Sequence, residues 1–192
     1  MVCKNCENSF IERKHNYIKR FGELTVYSWG LYAGSLRQGI LNLKSGRKEL
    51  VQYFGKKIIE FWDSVPEKIN ADKIIVTPVP SHYLRVKERG YCQSVLLAKY
   101  VSKWLRSEYT DKLITRVKLT KKMNSLNCLE ERITNINDAF KANNYTHSKK
   151  NILIVDDILT SGSTLREIAK TIKNKYEGLN LIGLTIASGD IY

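Results

Sequence analysis

The string Ile152-Leu153-Ile154-Val155-Asp156-Asp157-Ile158-Leu159-Thr160-Ser161-Gly162-Ser163-Thr164 constrains this chain more than any other. Its opening apolar run reads as a strand buried on both faces, the usual form of a strand in a parallel sheet. In open α/β sheets, ligands bind at the carboxyl ends of such strands. Two adjacent carboxylates at that end repel each other and lose hydration together, a cost a fold seldom keeps without a use. A vicinal ribose diol is one good use. Each ionised carboxylate accepts a hydroxyl, and such charge-assisted hydrogen bonds contribute roughly 1.5–3 kcal/mol each.

Thr160–Thr164 then supplies hydroxyls, a glycine and the first amides of a helix. Free N–H groups and the positive dipole end at a helix start make a site for a phosphate dianion. Gly162 lets the backbone approach that ligand closely. The loop has no lysine and the GxxxxGK[ST] pattern is absent from the chain, so this is not a triphosphate P-loop.

The rest of the chain alternates strand and helix signals. Leu24–Leu31 reads as a strand within the aromatic string Tyr27-Ser28-Trp29-Gly30-Leu31-Tyr32. Arg47–Trp62 predicts a helix with Leu50, Val51, Phe54, Ile58, Phe61 and Trp62 on one stripe. Ile74-Ile75-Val76, closed by Thr77-Pro78-Val79-Pro80, is a second buried strand, and Gln93–Arg106 a second helix. A strand at Leu113–Leu119 precedes a polar, weakly patterned stretch to Asn137; a helix from Ser163 and a strand at Leu181–Ala187 close the order. Continuous apolar strands alternating with helices give an α/β class, a mostly parallel central sheet flanked by helices.

The formal charge of +13, from 32 Lys+Arg against 19 Asp+Glu, favours anionic partners. An A+T-rich genome writing lysine among Asn, Ile and Tyr accounts for the same excess, so it does not by itself establish a nucleic-acid surface. No run is long enough to span a membrane and the first residues lack an apolar signal region, so a cytoplasmic protein is expected. Of the four cysteines, Cys3 and Cys6 alone have metal-ligand spacing. A structural zinc takes four ligands. Nearby His15 is a third donor and nothing local a fourth, so Zn²⁺ at Cys3 and Cys6 stays an open expectation.

A second constellation follows the Pro78-Val79-Pro80 loop: Arg85, Lys87 and Arg89 in a run ending Gly90-Tyr91-Cys92-Gln93. Three cations on the sheet edge that carries the acidic pair suit a multiply charged pyrophosphate, or form an ordinary basic loop. His82 beside them reads more simply as a loop residue than as a catalyst.

Together these strings resemble the ComF/GntX family, phosphoribosyltransferase-like proteins associated with DNA uptake in competent bacteria. The resemblance rests on Tyr32-Ala33-Gly34, Lys44-Ser45-Gly46, Pro78–Pro80, Arg85–Gln93, then Thr120, Glu131-Arg132, Asn135, Ala139-Phe140 and the Asp156–Thr164 string. It departs at Cys92, where the family usually has Asn, and in showing a single CxxC pair. The resemblance implies a type I phosphoribosyltransferase fold, with a hood-like N-terminal segment at 1–70 and a ligand-binding domain at 71–192. It implies that Asp156 and Asp157, the catalytic pair, hold the ribose hydroxyls of phosphoribosyl pyrophosphate (PRPP). Thr160, Ser161, Gly162, Ser163 and Thr164 would hold its 5-phosphate, and Mg²⁺ would bind through ligand oxygens. It implies phosphoribosyl transfer to a nitrogen acceptor, or a binding role beside single-stranded DNA and DNA-uptake proteins. Thr120–Asn137 would close over the ligand with Arg116, Lys118 and Arg132 as available cations. Tyr27, Trp29 and Tyr32 are available to stack on an acceptor, or belong to the core.

Overall fold

The computed structural model describes residues 17–65, 69–70, 73–120, 129–146 and 149–189. Cys3, Cys6 and His15 lie outside these residues, as does 121–128 of the expected closing loop.

The order of elements begins with β1 (Tyr17–Phe21), β2 (Leu24–Leu31), α1 (Gly34–Lys44) and α2 (Leu50–Asp63). It continues with β3 (Ile74–Pro78), α3 (Tyr83–Arg89), α4 (Gln93–Leu105), β4 (Glu108–Tyr109), β5 (Ile114–Arg116) and α5 (Leu129–Ile136). Last come β6 (Phe140–Ala142), β7 (Asn151–Leu159), α6 (Ser163–Lys173) and β8 (Asn180–Ser188). Six strands form one sheet in the order β1-β2-β8-β7-β3-β4, while β5 and β6 form a separate antiparallel pair. Within the main sheet only β1 and β2 run antiparallel. The mostly parallel α/β class read from the sequence holds.

Each face of the sheet has its own core. On one face Trp29, Ile74, Val76, Leu153, Val155 and Leu184 meet α1, α2 and α4 through Ile40, Phe54, Ile58 and Leu97. On the other, Val26, Ile75, Ile152, Ile154 and Leu181 meet α6 and the β5–β6 pair through Leu165, Ile168, Ile114 and Phe140. Alternate residues of β7 therefore go to opposite cores, and Ile152 through Val155 are all fully buried. Each such side chain contributes about 1.5–3 kcal/mol by leaving water. That is why this run carries no polar residue until its end.

Several boundaries differ from the expectation. The helix read from Arg47 begins at Leu50, because 47–49 are taken up by a turn in which Leu50 and Val51 donate to the carbonyls of Arg47 and Lys48. The strand read over Leu113–Leu119 shrinks to Ile114–Arg116, the stretch that finds a partner on β6, and Val117 and Leu119 stand exposed. The polar stretch before Asn137 contains α5. The expected division at residue 70 is crossed by the β2–β8 ladder, which joins Thr25 through Leu31 to Ile182 through Ser188. Tyr27 and Trp29 are core residues, 5% and 2% exposed, and Tyr32 is half-buried against the same core.

Candidate functional site

The site follows from where β3 and β7 part. Their ladder ends at Pro78 opposite Val155, with a last bond from the Val79 amide to the Val155 carbonyl at 2.9 Å. Beyond it β7 keeps a neighbour only on its β8 side, through Asp156 opposite Thr185 and Leu159 opposite Ser188. From this point the two chains leave for opposite faces. After β3 the chain runs through α3 into α4, in the core with α2; after β7 it runs into α6, in the core with β6. Neighbouring parallel strands whose connections diverge in this way open a crevice at their carboxyl ends, where α/β sheets bind ligands. Asp156 and Asp157 stand on its β7 wall.

The two carboxylates differ in setting. Asp157 is buried, 4% exposed. Its Oδ2 lies 3.0 Å from Lys44 Nζ and accepts from Gln93 Nε2 at 3.0 Å. Asp156 is half-buried, and its Oδ1 accepts the Asp157 amide at 2.9 Å. Burial and then the charge of Asp157 push the Asp156 carboxyl well above the usual carboxylate range, with Lys44 and Arg116 opposing more weakly. Lys44 shows the reverse balance: burial works against its charge, but Asp157, with Asp156 and Tyr32, outweighs it and raises its pKa.

The Thr160–Thr164 segment carries the chain from β7 into the start of α6. Gly162 sits at φ +74°, in the left-handed region, as the N-cap of α6. A Cβ at this position would lie 2.5 Å from the Phe21 ring, so glycine answers both the backbone and the packing. Ser161 and Ser163 share a hydrogen bond between their hydroxyls at 2.9 Å, and the Ser163 amide donates to Ser161 Oγ at 3.4 Å. Thr160 and Thr164 flank them, half-buried. The next amides of α6 point out of the helix start without intrahelical carbonyls, as every helix geometry requires.

The cations divide. Arg85 donates to the Thr120 carbonyl at 2.5 Å, Arg89 donates to Gln93 Oε1, and Lys87 is exposed. His82 caps α3 by accepting the Leu84 amide on Nδ1 at 3.3 Å, a structural use. Arg116, half-buried, donates to the Thr120 hydroxyl and stacks its guanidinium 5.3 Å from the Phe140 ring centre. Its Nε is buried without a partner. Burial and then Arg85 lower its pKa to about 10, against the pull of Asp156. Arg85 is likewise lowered, by burial and then by Arg89. The guanidiniums depress one another in sequence, Arg89 acting on Arg85 and Arg85 on Arg116, with Asp156 opposing at Arg116, which makes a local cation surplus. Lys118 is exposed at the same end, with Nζ 3.4 Å from the Asn137 carbonyl.

Comparison with known proteins gives the chain's relatives. Competence protein F of Haemophilus influenzae is 33% identical over 102 residues, covering 51% of this chain and 43% of that protein. Competence protein ComFC of Bacillus subtilis is 25% identical over 187 residues, covering 96% of this chain and 71% of that one. The chain is similar in sequence to competence proteins of the ComF type. DNA utilization protein YhgH of Escherichia coli K12 is 33% identical over 95 residues, with 50% of this chain and 41% of that protein covered. The chain thus spans less than half the length of competence protein F and of YhgH. No protein-family model matches it. Solved structures it is similar to include the xanthine-guanine-hypoxanthine phosphoribosyltransferase of Helicobacter pylori, with TM-score 0.42 and 16% identity over 74% of this chain and 87% of that one. A hypoxanthine phosphoribosyltransferase of Staphylococcus aureus gives 0.41 and 11% over 78% and 71%.

The structure brings Asp156, Asp157 and the Thr160–Thr164 loop to one crevice, with Arg85 and Arg116 at the same end. Lys44, Gln93 and Tyr91 were quoted in the sequence without a role, and the structure places them around Asp157 and the loop that precedes α4. Cys92 caps the start of α4, buried, with Sγ 3.3 Å from Ser81 Oγ and 3.1 Å from Ser94 Oγ. A thiol fills the place expected for an amide without contacting the acidic pair.

Proposed function

We propose that the crevice between β3 and β7 binds PRPP and that the chain transfers its phosphoribosyl group to a nitrogen acceptor, releasing pyrophosphate, in the context of competence and DNA uptake. One observation carries this reading. The acidic pair stands at the point where neighbouring parallel strands send their connections to opposite faces, between a phosphate-type helix start and a surplus of guanidinium. Each part suits one part of the ligand: carboxylates the ribose diol, the Thr160–Thr164 loop the 5-phosphate, and Arg85 with Arg116 the pyrophosphate. The names of the curated relatives support the competence setting.

Among the described residues no group of three or more metal-ligating side chains comes together, while carboxylates and cations line the crevice. This donor set fits Mg²⁺ held through the pyrophosphate and ribose oxygens of the ligand. The chemistry it supplies when bound is neutralisation of the leaving group. The chain's own residues orient the ribose through Asp156 and Asp157, fix the 5-phosphate on α6, and stabilise negative charge gathering on pyrophosphate through Arg85 and Arg116.

Calorimetric titration of PRPP with Mg²⁺ into the protein and into the double variant Asp156→Asn, Asp157→Asn tests this. Saturable binding that the double variant loses by a factor of about 100 or more is expected, since two charge-assisted hydrogen bonds disappear together. A folded wild-type protein that binds no PRPP would refute the reading. Pyrophosphate release on adding nitrogen acceptors then separates an enzyme from a PRPP-binding accessory protein.

A further inference from the structure

We infer that Lys44 is a positioning residue for ribose recognition: it holds the buried Asp157 carboxylate in place and, through the corner it sits on, ties that carboxylate to the loop carrying the pyrophosphate cations. The inference rests on the PRPP reading and deepens it.

The corner is Leu43–Gly46, at the end of α1. Lys44 Nζ reaches Asp157 Oδ2 at 3.0 Å, the oxygen that also accepts Gln93 Nε2 at 3.0 Å. Both contacts fall on Oδ2, which leaves Oδ1 to accept a ligand hydroxyl. Gln93 is itself gripped from its other end, because its Oε1 accepts Arg89 Nη1. A second tie runs in parallel: the Gly46 amide donates to Tyr91 Oη at 3.1 Å, and the Tyr91 hydroxyl donates to the Leu43 carbonyl. Lys48 Nζ covers the Tyr91 ring at 4.9 Å from its centre. Gly46 adopts φ +125°, a conformation strained for any residue with a side chain, so the amide that meets Tyr91 depends on glycine. The string Lys44-Ser45-Gly46 thus acquires a mechanical meaning: one residue holds the carboxylate and the other holds the loop.

Lys44 is therefore set apart from Arg85 and Arg116. Its side chain is only 28% exposed and its ammonium is already engaged by a carboxylate, whereas Arg116 faces the charge of Arg85. The groups facing Asp157 are Lys44 from α1, Gln93 from α4 and Asp156 on its own strand. Lys44 is the cation among them that balances two adjacent carboxylates before any ligand arrives. Without it, Asp157 would be a buried charge with one amide donor.

The test compares Lys44→Met, Lys44→Arg and the distant surface control Lys103→Met, titrated separately with Mg²⁺-PRPP, ribose 5-phosphate and Mg²⁺-pyrophosphate. Lys44→Met should weaken PRPP and ribose 5-phosphate by about tenfold or more, the worth of one well-placed charged hydrogen bond. It should leave pyrophosphate within about twofold, the scatter expected of independent sites. Lys44→Arg should recover part of the loss, and Lys103→Met should match wild type. Added to Asp157→Asn, Lys44→Met should cost little more, because both act through one carboxylate. Equal loss of pyrophosphate and ribose 5-phosphate would make Lys44 a phosphate-binding cation and overturn the inference, as would losses that simply add in the double variant. Unchanged binding in both Lys44 variants would also overturn it. Absence of PRPP binding in wild type would instead remove the reading on which it rests. Should Lys44→Met fail to fold, the Lys44→Arg ligand profile decides between the same outcomes.

Discussion

Two parts of one crevice are built on opposite electrostatic principles. Around Asp157 every charge is paired: Lys44 and Gln93 fill one of its oxygens, and Arg89 fills the far end of Gln93. At the adjacent residue, Asp156 is pushed toward its neutral form, while Arg89 lowers the proton affinity of Arg85 and Arg85 that of Arg116. The paired part is rigid scaffolding. The unpaired part stores unfavourable charge that a ligand carrying both hydroxyls and a pyrophosphate would relieve. Such division is expected where an active crevice trades stability for binding. It yields a rule that single substitutions can break: changes in the paired part should cost both stability and affinity, and changes in the unpaired part affinity alone.

The largest effect belongs to Asp157→Ala. It strands Lys44 against a buried wall and leaves the Gln93 amide without its acceptor. Removing one partner of a fully buried pair costs about 3–5 kcal/mol. Because Lys44 is partly exposed, a loss on the order of 2 kcal/mol is expected, read as a lower urea midpoint at unchanged slope. PRPP affinity should fall with it. A variant as stable as wild type would show that the paired part holds nothing together.

Arg116→Met should behave differently. The guanidinium Nε is buried without a partner and its neighbour Arg85 repels it, so an apolar side chain of similar length removes a cost. Its stacking on Phe140 survives in part through the methionine thioether. Thermal stability is expected to stay level or rise, while affinity for Mg²⁺-pyrophosphate and PRPP drops about tenfold. Loss of stability with intact pyrophosphate affinity would place Arg116 in the scaffolding instead.

The sequence made these parts unequally legible. The apolar run of β7 and the helix start after Gly162 are legible because they are contiguous and locally patterned, but β7 continues through the acidic pair to Leu159, since β8 still offers it a partner there. α1 was missed although Leu36, Gly39, Ile40 and Leu43 recur on one buried stripe, because glycines and serine dilute its helix propensity. β1 was missed because an edge strand buries only alternate positions partway, and its lysine and arginine mask the alternation. The contact of Lys44 with Asp157 joins residues far apart in the chain. Nothing local distinguishes a lysine at a helix end that caps a carbonyl from one that crosses the sheet edge to a carboxylate. Only the β2–β8 ladder, which sets the start of α1 beside the end of β7, decides it.

The smallest effect is also the sharpest separation of the two parts. Burial and Asp157 raise the Asp156 pKa in the folded chain above its unfolded value. The folded state therefore holds that proton more tightly than the unfolded chain does. Above the raised value the ionised carboxyl subtracts its full cost from stability, and as pH falls toward the ordinary carboxylate range protonation returns it. Asp156→Asn supplies a neutral side chain at every pH. The variant should melt a few degrees above wild type at mildly alkaline pH, where roughly 1 kcal/mol moves the melting point of a chain this size by about 2–4 °C. The gap should shrink as pH falls, because wild type gains the proton that the amide imitates. Scanning calorimetry across that range, on both proteins in matched buffers, cancels every other titrating group. A constant gap would mean that Asp156 is ionised throughout. A gap that widens on acidification would place Asp156 among the paired charges, because a carboxylate stabilised by a partner loses stability as it is protonated, and the division of the crevice would fall with it.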